Sequence, residues 1–484
     1  MNQEKSVKKN FFLNSVLTVA TVLVPLITFP YISRVLLVEA NGKVNFASSV
    51  INYFIMFSAL GIPTYGIRAC ATVRDNKVEL AKTVHELFFI NLVMTVIVYI
   101  IFLVSVFMIP QFYNEKSLMI ITSFNLLLNA PGMNWLYSAL EEYKYITIRS
   151  LIVKFISVGL IFCLVKKPED YKVYAIILMI SNVGGNLFNL VYARKFVLFK
   201  RIQGYEIKKH IKPILTFFAT TVAISIYSNL DIVMLGFVSG DVEVGYYSAA
   251  LKIRTTLATL AVSLGTVLLP RLSYWVQMEQ YDKFKKMLQK SFDYMFIIAI
   301  PITVYFIVFA KPAVLLISGA AYEGAVLPTQ LLMPTIFLAG LSNVTGTQTM
   351  VPLGKENKLL RSIIVGALTD FILNLFFIPK YGSGGAAFAT MITEGVVLLM
   401  QCIYIKQLLV QIRVGKYFRK PFFSCILAIA ISLLVTRYFR MGYFGELLIS
   451  ASIFGGVYVL VLLISKEDLV MEVLNSLKRR KNNG

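Results

Sequence analysis

Charge is scarce in this chain. Lys, Arg, Asp and Glu make up 15% of 484 residues, while 57% are hydrophobic and 13% aromatic, which leaves little polar material to cover a soluble globule. Cysteine is sparse as well: Cys70, Cys163, Cys402 and Cys425 are scattered without metal or redox spacing and read as small packing residues. The two histidines, His85 and His210, each lack a second ligand at zinc spacing. Gly382-Ser383-Gly384-Gly385 carries no phosphate-loop lysine, so it reads as a turn with close packing. No hydrolase triad and no nucleotide motif is present, so any pumping by this chain runs on an ion gradient. The loops between apolar runs are short and hold no outer domain for sugar-transfer chemistry. The basic start is followed by a run too long for a signal-peptide core and without a small-residue cleavage pattern, so it reads as a retained first span.

What the chain has instead is long apolar segments. About fourteen can be traced, the first from Phe11 to about Val38 and the last two from Phe422 and Phe444. Each is close to the ~20 residues that cross a ~30 Å hydrocarbon core as a helix. The expected class is an all-α polytopic membrane protein with about fourteen transmembrane helices. Net charge is +22. Its distribution is uneven: Lys and Arg gather in segments 5–9, 68–82, 144–149, 194–212, 271–290, 355–361, 406–420 and 466–481, and few fall in the alternate loops. This is the positive-inside pattern, and it predicts that both termini are cytoplasmic. The basic balance is thus a topology signal, and no nucleic acid is expected as a partner. The tail Lys478-Arg479-Arg480-Lys481 reads as a solvated flank, with anionic lipid as the alternative partner.

The chain also repeats itself. Arg149-Ser150-Leu151-Ile152-Val153 recurs as Arg361-Ser362-Ile363-Ile364-Val365, shifted by 212 residues, and Pro168 and Pro379 follow at similar distances. Val35-Leu36-Leu37 and Val44-x-Phe46-x-Ser48 echo Val233-Met234-Leu235 and Val244-x-Tyr246-x-Ser248. The expected organisation is two six-helix lobes, 1–200 and 201–415, related by a pseudo-two-fold along the membrane normal. Two C-terminal helices and a cytoplasmic basic tail follow at 416–484. Facing lobes of this kind are a transporter plan, with substrate between them.

Polar residues recur on one face of several spans: Asn14, Thr18, Thr21, Pro25 and Thr28; Asn45, Ser49 and Asn52; Asn182, Asn186 and Asn189; Ser248, Lys252, Thr255, Thr259, Ser263 and Thr266. They read either as ordinary helix packing or as the wall of a hydrated cavity. Ionisable residues within spans are costly and mark function by default. Here they are Asp370 and Glu394 near mid-membrane, with Asn374 and Thr390 one helical turn from them, and Asp231 in the outer third of its span with Lys252 and Arg254 at similar height. In one reading, Asp231 pairs with Lys252 or Arg254 and locks two helices. In the other, Asp231, Asp370, Asn374, Thr390 and Glu394 surround a coupling ion, Na+ or H+, since oxygen ligands suit a hard cation. Arg34 and Arg68 end the first two spans and are either snorkelling anchors or an anion site for a diphosphate. No other cofactor is expected.

Pro30-Tyr31-Ile32-Ser33-Arg34-Val35-Leu36 followed by Gly42-x-x-x-Phe46-Ala47 resembles the end of span 1 in bacterial polysaccharide repeat-unit flippases. So do Gly61-Ile62-x-x-Tyr65-Gly66-x-Arg68, Trp135-Leu136-Tyr137 with Glu141-Glu142-Tyr143, Asn229-x-Asp231-x-x-Met234-Leu235-Gly236, Gly245-Tyr246-Tyr247-x-Ala249, and Gly382-x-x-Gly385-Ala386-Ala387 with Glu394, at their own places in order. Leu37 departs from the pattern, standing where the family usually has Gly. That family is the polysaccharide branch of the multidrug/oligosaccharidyl-lipid/polysaccharide exporter superfamily. The resemblance implies alternating access by two lobes and a polyprenyl-diphosphate-linked oligosaccharide as cargo, for O-antigen, capsule or exopolysaccharide. It implies a bacterial plasma (inner) membrane location, no enzymatic activity, and membrane lipid, polysaccharide polymerase and chain-length machinery as partners. It also implies a cation site on the helices that carry Asp231, Asp370 and Glu394. Diphosphate and glycan would meet Arg34, Arg68, Lys252, Arg254, Asn52 and Asn186. The alternatives are a multidrug/cation antiporter of the same superfamily, which calls for an acidic cavity, and a membrane polysaccharide polymerase.

Overall fold

The computed structural model describes residues 7–472 apart from 199, 201, 413, 415–417 and 439–441. The side chains of Asn14, Ser263 and Thr266 and the basic run Lys478-Arg479-Arg480-Lys481 lie outside the described residues. Among the described residues every regular element is a helix. Nine helices among them are long and apolar enough to cross a membrane, or ten if the bent pair Lys208–Ile226 and Asn229–Val238 forms one span.

Two of these helical runs are of double length, Ser15–Thr72 with 58 residues and Glu356–Tyr404 with 49. At ~1.5 Å per residue the shorter would reach roughly 74 Å, more than twice a hydrocarbon core. It reverses at Gly382, where φ is 52° and ψ −130°. The reversal is visible in Thr393, whose Oγ1 donates to Asp370 Oδ1 at 3.3 Å from 23 residues further on. The helix Val7–Ala59 has a comparable break at Leu37, with φ 61° and ψ −172°.

Burial runs opposite to that of a soluble protein. Along Glu356–Tyr404 the buried residues include Ser362, Gly366, Ala367, Asp370 and Asn374. Leu368, Phe371, Ile372, Leu375 and Phe376 are exposed. Apolar side chains outward and small or polar ones inward is the arrangement that lipid as solvent selects, because small residues let helices approach and polar groups must find partners inside the bundle.

The chain divides into two compact units, Met1–Gly245 and Tyr246–Gly484. In the first, Val7–Ala59 packs along Lys77–Met108, Lys116–Asn129 and Tyr143–Leu164. Ile62, Leu80, Val84, Leu87, Trp135 and Leu136 form part of its core. Asn76 starts the helix Lys77–Met108 by accepting from the Val78 and Glu79 amides at 3.1 and 3.2 Å, which satisfies two donors a helix start leaves open. In the second unit, Arg419–Tyr438 and Tyr443–Ile464 pack as a pair, and Val326–Leu332 and Pro334–Ser342 lie against Glu356–Tyr404. Tyr281–Val308 packs on both Pro334–Ser342 and Arg419–Tyr438.

Candidate functional site

The reversal at Gly382 places two stretches of one helical run side by side, and each brings a buried carboxylate into the second unit. Asp370 is 2% exposed and Glu394 5%. Asp370 Oδ2 accepts from Asn374 Nδ2 at 3.0 Å, a one-turn bond along the first arm. Its Oδ1 accepts from Thr393 on the returning arm. Glu394 Oε1 is held by Arg254 Nη2 at 3.0 Å. The Arg254 guanidinium also donates through Nε to Thr335 Oγ1 at 2.8 Å. Thr335 in turn donates to Leu332 O at 2.6 Å, so its lone pairs face the arginine. Thr390 Oγ1 lies 3.0 Å from Tyr247 Oη and donates to Ala386 O.

Six residues, four of them singled out from sequence, therefore form two connected sets: Asp370, Asn374 and Thr393, and Arg254, Glu394 and Thr335. The second set joins a residue expected to meet substrate, Arg254, with one expected to hold a coupling ion, Glu394. A buried carboxylate needs such a partner, since an isolated ionised acid inside a bundle would cost several kcal/mol. Lys252 is half-buried on the same helix, Asp241–Gln277, and Asp231 is buried on Lys208–Val238 in the first unit.

The remaining sequence candidates lie in the first unit and are dispersed. Arg34 is exposed, with Nη1 donating to Pro30 O at 2.9 Å. Arg68 and Asn52 are exposed on Ile62–Thr72 and Val7–Ala59. Asn186 is buried, and its Nδ2 donates to Leu128 O at 2.9 Å. Beside it Asn189 is a polar hub. Its amide donates to Gly132 O and to Asn134 Oδ1, and its Oδ1 accepts from Tyr145 Oη and Arg149 Nη1. At the Leu37 break, Lys43 bridges Glu39 and Glu115 at 3.1 and 3.0 Å. Nearby, burial pushes the Asp241 carboxyl above its ordinary range, against the pull of Lys43.

Sequence reasoning did not single out Thr335 or Thr393 as partners of these acids. Thr393 adjoins Glu394 in sequence, but facing Asp370 depends on the reversal. Tyr247 stands in the quoted Gly245-Tyr246-Tyr247 motif, which hints at it without giving a role. Among the described residues, no three His, Cys, Asp or Glu side chains come together as a metal site.

Residues 7–275, more than half of the chain, match the family described as "Polysaccharide biosynthesis protein". The chain belongs to this family. A second family, MatE, matches residues 217–376 of this polysaccharide biosynthesis protein. The putative O-antigen transporter of Escherichia coli (strain K12) is 26% identical over 411 residues, covering 84% of this chain and 98% of the relative. A solved structure of the lipid II flippase MurJ in an inward closed conformation is similar with a TM-score of 0.72 and 18% identity, over 95% of this chain and all of that one (100%). An inward-facing multidrug resistance MATE family transporter of the MOP superfamily is similar at TM-score 0.58 and 13% identity, over 82% and 99% of the two chains. The fold of this family member is therefore the polytopic α-helical fold that these two structures share.

Proposed function

We propose that this protein is a flippase that moves a polyprenyl-diphosphate-linked oligosaccharide repeat unit across the bacterial plasma membrane by alternating access, for surface polysaccharide biosynthesis. The observation that carries the reading is family membership together with likeness to an O-antigen transporter along 98% of that relative's length. The site supports it physically. A membrane bundle keeps ionised groups inside only where they pair or serve a path. Arg254 and Lys252 supply cationic chemistry suited to a diphosphate, Arg in bidentate form. Arg34, Arg68, Asn52 and Asn186 complete the proposed substrate set.

Coupling to Na+ or H+ at Asp231, Asp370, Asn374, Thr390 and Glu394 is part of the proposal. The donor set fits: carboxylate, amide and hydroxyl oxygens are the ligands a hard cation takes. Cytoplasmic termini belong to the same reading, supported by the charge bias of the loops. Polysaccharide polymerase and chain-length machinery are the proposed partners, as consumers of a flipped repeat unit. The protein itself would carry out no covalent chemistry.

The MatE match favours one second reading, export of organic cations. The half-buried Arg254 speaks against it, since an aromatic cation would meet positive charge. The test is reconstitution in proteoliposomes with a fluorescent polyprenyl-diphosphate oligosaccharide, read by an external quencher or lectin. Protein-dependent translocation, sensitive to Na+ or pH and lost in R254Q, is the expected result. No translocation of any glycan beside active efflux of small cations would replace this reading with the second. Sugar transfer by the purified protein would replace both.

A further inference from the structure

The chain has only two histidines, and both bind a tyrosine hydroxyl at the segment joining the sequence repeats. His85 Nδ1 lies 3.0 Å from Tyr205 Oη, which also accepts from the Ile202 amide at 3.2 Å. His210 is the more enclosed. Its side chain is 3% exposed, and that of its partner Glu86 is 0%. His210 Nε2 lies 2.7 Å from Glu86 Oε2, and Nδ1 lies 2.8 Å from Tyr65 Oη. Glu86 Oε1 accepts from the Glu206 amide at 2.5 Å, and Lys209 Nζ stands 3.5 Å from Oε2. Three parts of the chain thus converge on one imidazole: Ile62–Thr72, Lys77–Met108 and residues 202–210. The ring meets Tyr65 and Glu86 directly, and the titratable groups acting on those two partners are Arg68 and Cys70 from the first part and Lys209 from the third, which also pairs with Glu206.

We propose that Glu86, His210 and Tyr65 form a proton-responsive clamp that holds the segment joining the two repeats, tighter when the ring carries a proton. The assignment follows from donor counting. Everything else that faces the Glu86 carboxylate is a donor, so Nε2 carries a hydrogen and donates to it. With a neutral ring, Nδ1 accepts from the Tyr65 hydroxyl. A proton taken up on Nδ1 reverses that bond, so that Tyr65 accepts, and sets a full positive charge against the carboxylate. No hydrogen bond is lost and one becomes charge-assisted, which roughly doubles its strength. The second histidine, His85, meets Tyr205 in the same joining segment.

Hydrogen exchange of the full-length protein in lipid nanodiscs tests the clamp without reference to transport. Protection of peptides covering 202–210, corrected for intrinsic exchange, is expected to fall about fivefold between pH 5.5 and 8.5. H210Q should hold a low protection that does not change with pH. Y65F keeps the ring and the carboxylate but removes the acceptor the charged ring needs, so its protection should drop most at the acid end. Flat protection in the wild type would overturn the proposal, as would a fall that persists unchanged in both variants. Regulation of flipping by this clamp rests on the flippase reading and is a separate arm. Proteoliposome translocation should follow the same pH midpoint, and H210Q should abolish that dependence. pH-dependent protection beside pH-independent translocation would remove the regulatory role and leave the clamp.

Discussion

Arg254 and Glu394 form an ion pair at 3.0 Å within the second unit, with side chains 17% and 6% exposed. Neither group can be changed alone without consequence, because removing one strands the other. R254Q or E394Q should each destabilise the detergent-solubilised protein by roughly 3 kcal/mol, read from thermal unfolding. Replacing both by apolar residues, R254M with E394L, removes the stranded charge and should recover most of that stability. Translocation then separates two roles. If the pair only locks helices, the double variant transports normally. If Arg254 meets a diphosphate or Glu394 holds the coupling ion, the double variant is stable and inactive, which is the outcome expected here.

Leu37 sits at φ 61° and ψ −172°, a region open in practice to glycine alone. The corresponding turn between Lys208–Val238 and Asp241–Gln277 uses Gly240 at φ 85°. Holding a branched residue in such a conformation costs about 1–3 kcal/mol. Leu37 is 44% exposed, so truncating it gives up little burial. L37G should therefore raise the unfolding temperature, after an offset of about 0.5–1 kcal/mol for the freer unfolded glycine. A lowered unfolding temperature would show that the Leu37 side chain contributes more than its backbone costs.

Just beyond Leu37, the first unit closes on two glycines. A Cβ on Gly42 would lie 1.8 Å from Asp241 O, and one on Gly245 would lie 2.4 Å from Val38 O. Both contacts are backbone, so neither yields by side-chain rotation. G42A and G245A should each destabilise by at least about 1–3 kcal/mol, the usual range for overpacking. G395A is the control. It lies within Glu356–Tyr404 with nothing within 4 Å, and alanine there should stabilise by up to about 1 kcal/mol.

Class and many helices could be read from sequence because lipid constrains composition so strongly. A run of twenty apolar residues has few alternatives to a spanning helix. The turn at Gly382 was also legible, from Pro379 and the clustered glycines, and so was the pairing of Asp370 with Asn374, a matter of helical spacing. What could not be read is which face meets which neighbour. Arg254 and Glu394 are 140 residues apart, and their meeting depends on how two helices are rotated about their axes. Asn186 shows the same limit from the other side. Its polar stripe suggests a wet wall, and gives no sign that its amide donates to a carbonyl beside the short helix at Ala130–Gly132.

That irregular stretch has a counterpart that the repeat makes testable. The 212-residue offset that carries Arg149 onto Arg361 carries Asn189 onto Gln401. Both amides are buried, and both serve an irregular stretch. Asn189 donates to Gly132 O, just before Met133 in the left-handed region (φ 37°). Gln401 Oε1 accepts from Ser342 and Thr345, at 3.0 and 2.5 Å, where Pro334–Ser342 gives way to the wider π-helical turns of Asn343–Met350. Its Nε2 donates to Ser362 at 3.4 Å, next to Arg361. Each amide joins several buried polar groups at once, so each should matter more than a lone hydrogen bond. N189L and Q401L keep size and remove every polar contact, stranding at least one buried group. Each should cost about 1–3 kcal/mol per stranded group in thermal unfolding. Exchange protection should drop locally, around 130–137 in N189L and around 343–350 in Q401L, and stay unchanged in the other half. A loss spread evenly over the chain in either variant would mean the amide supports general packing and that the two stretches are unrelated.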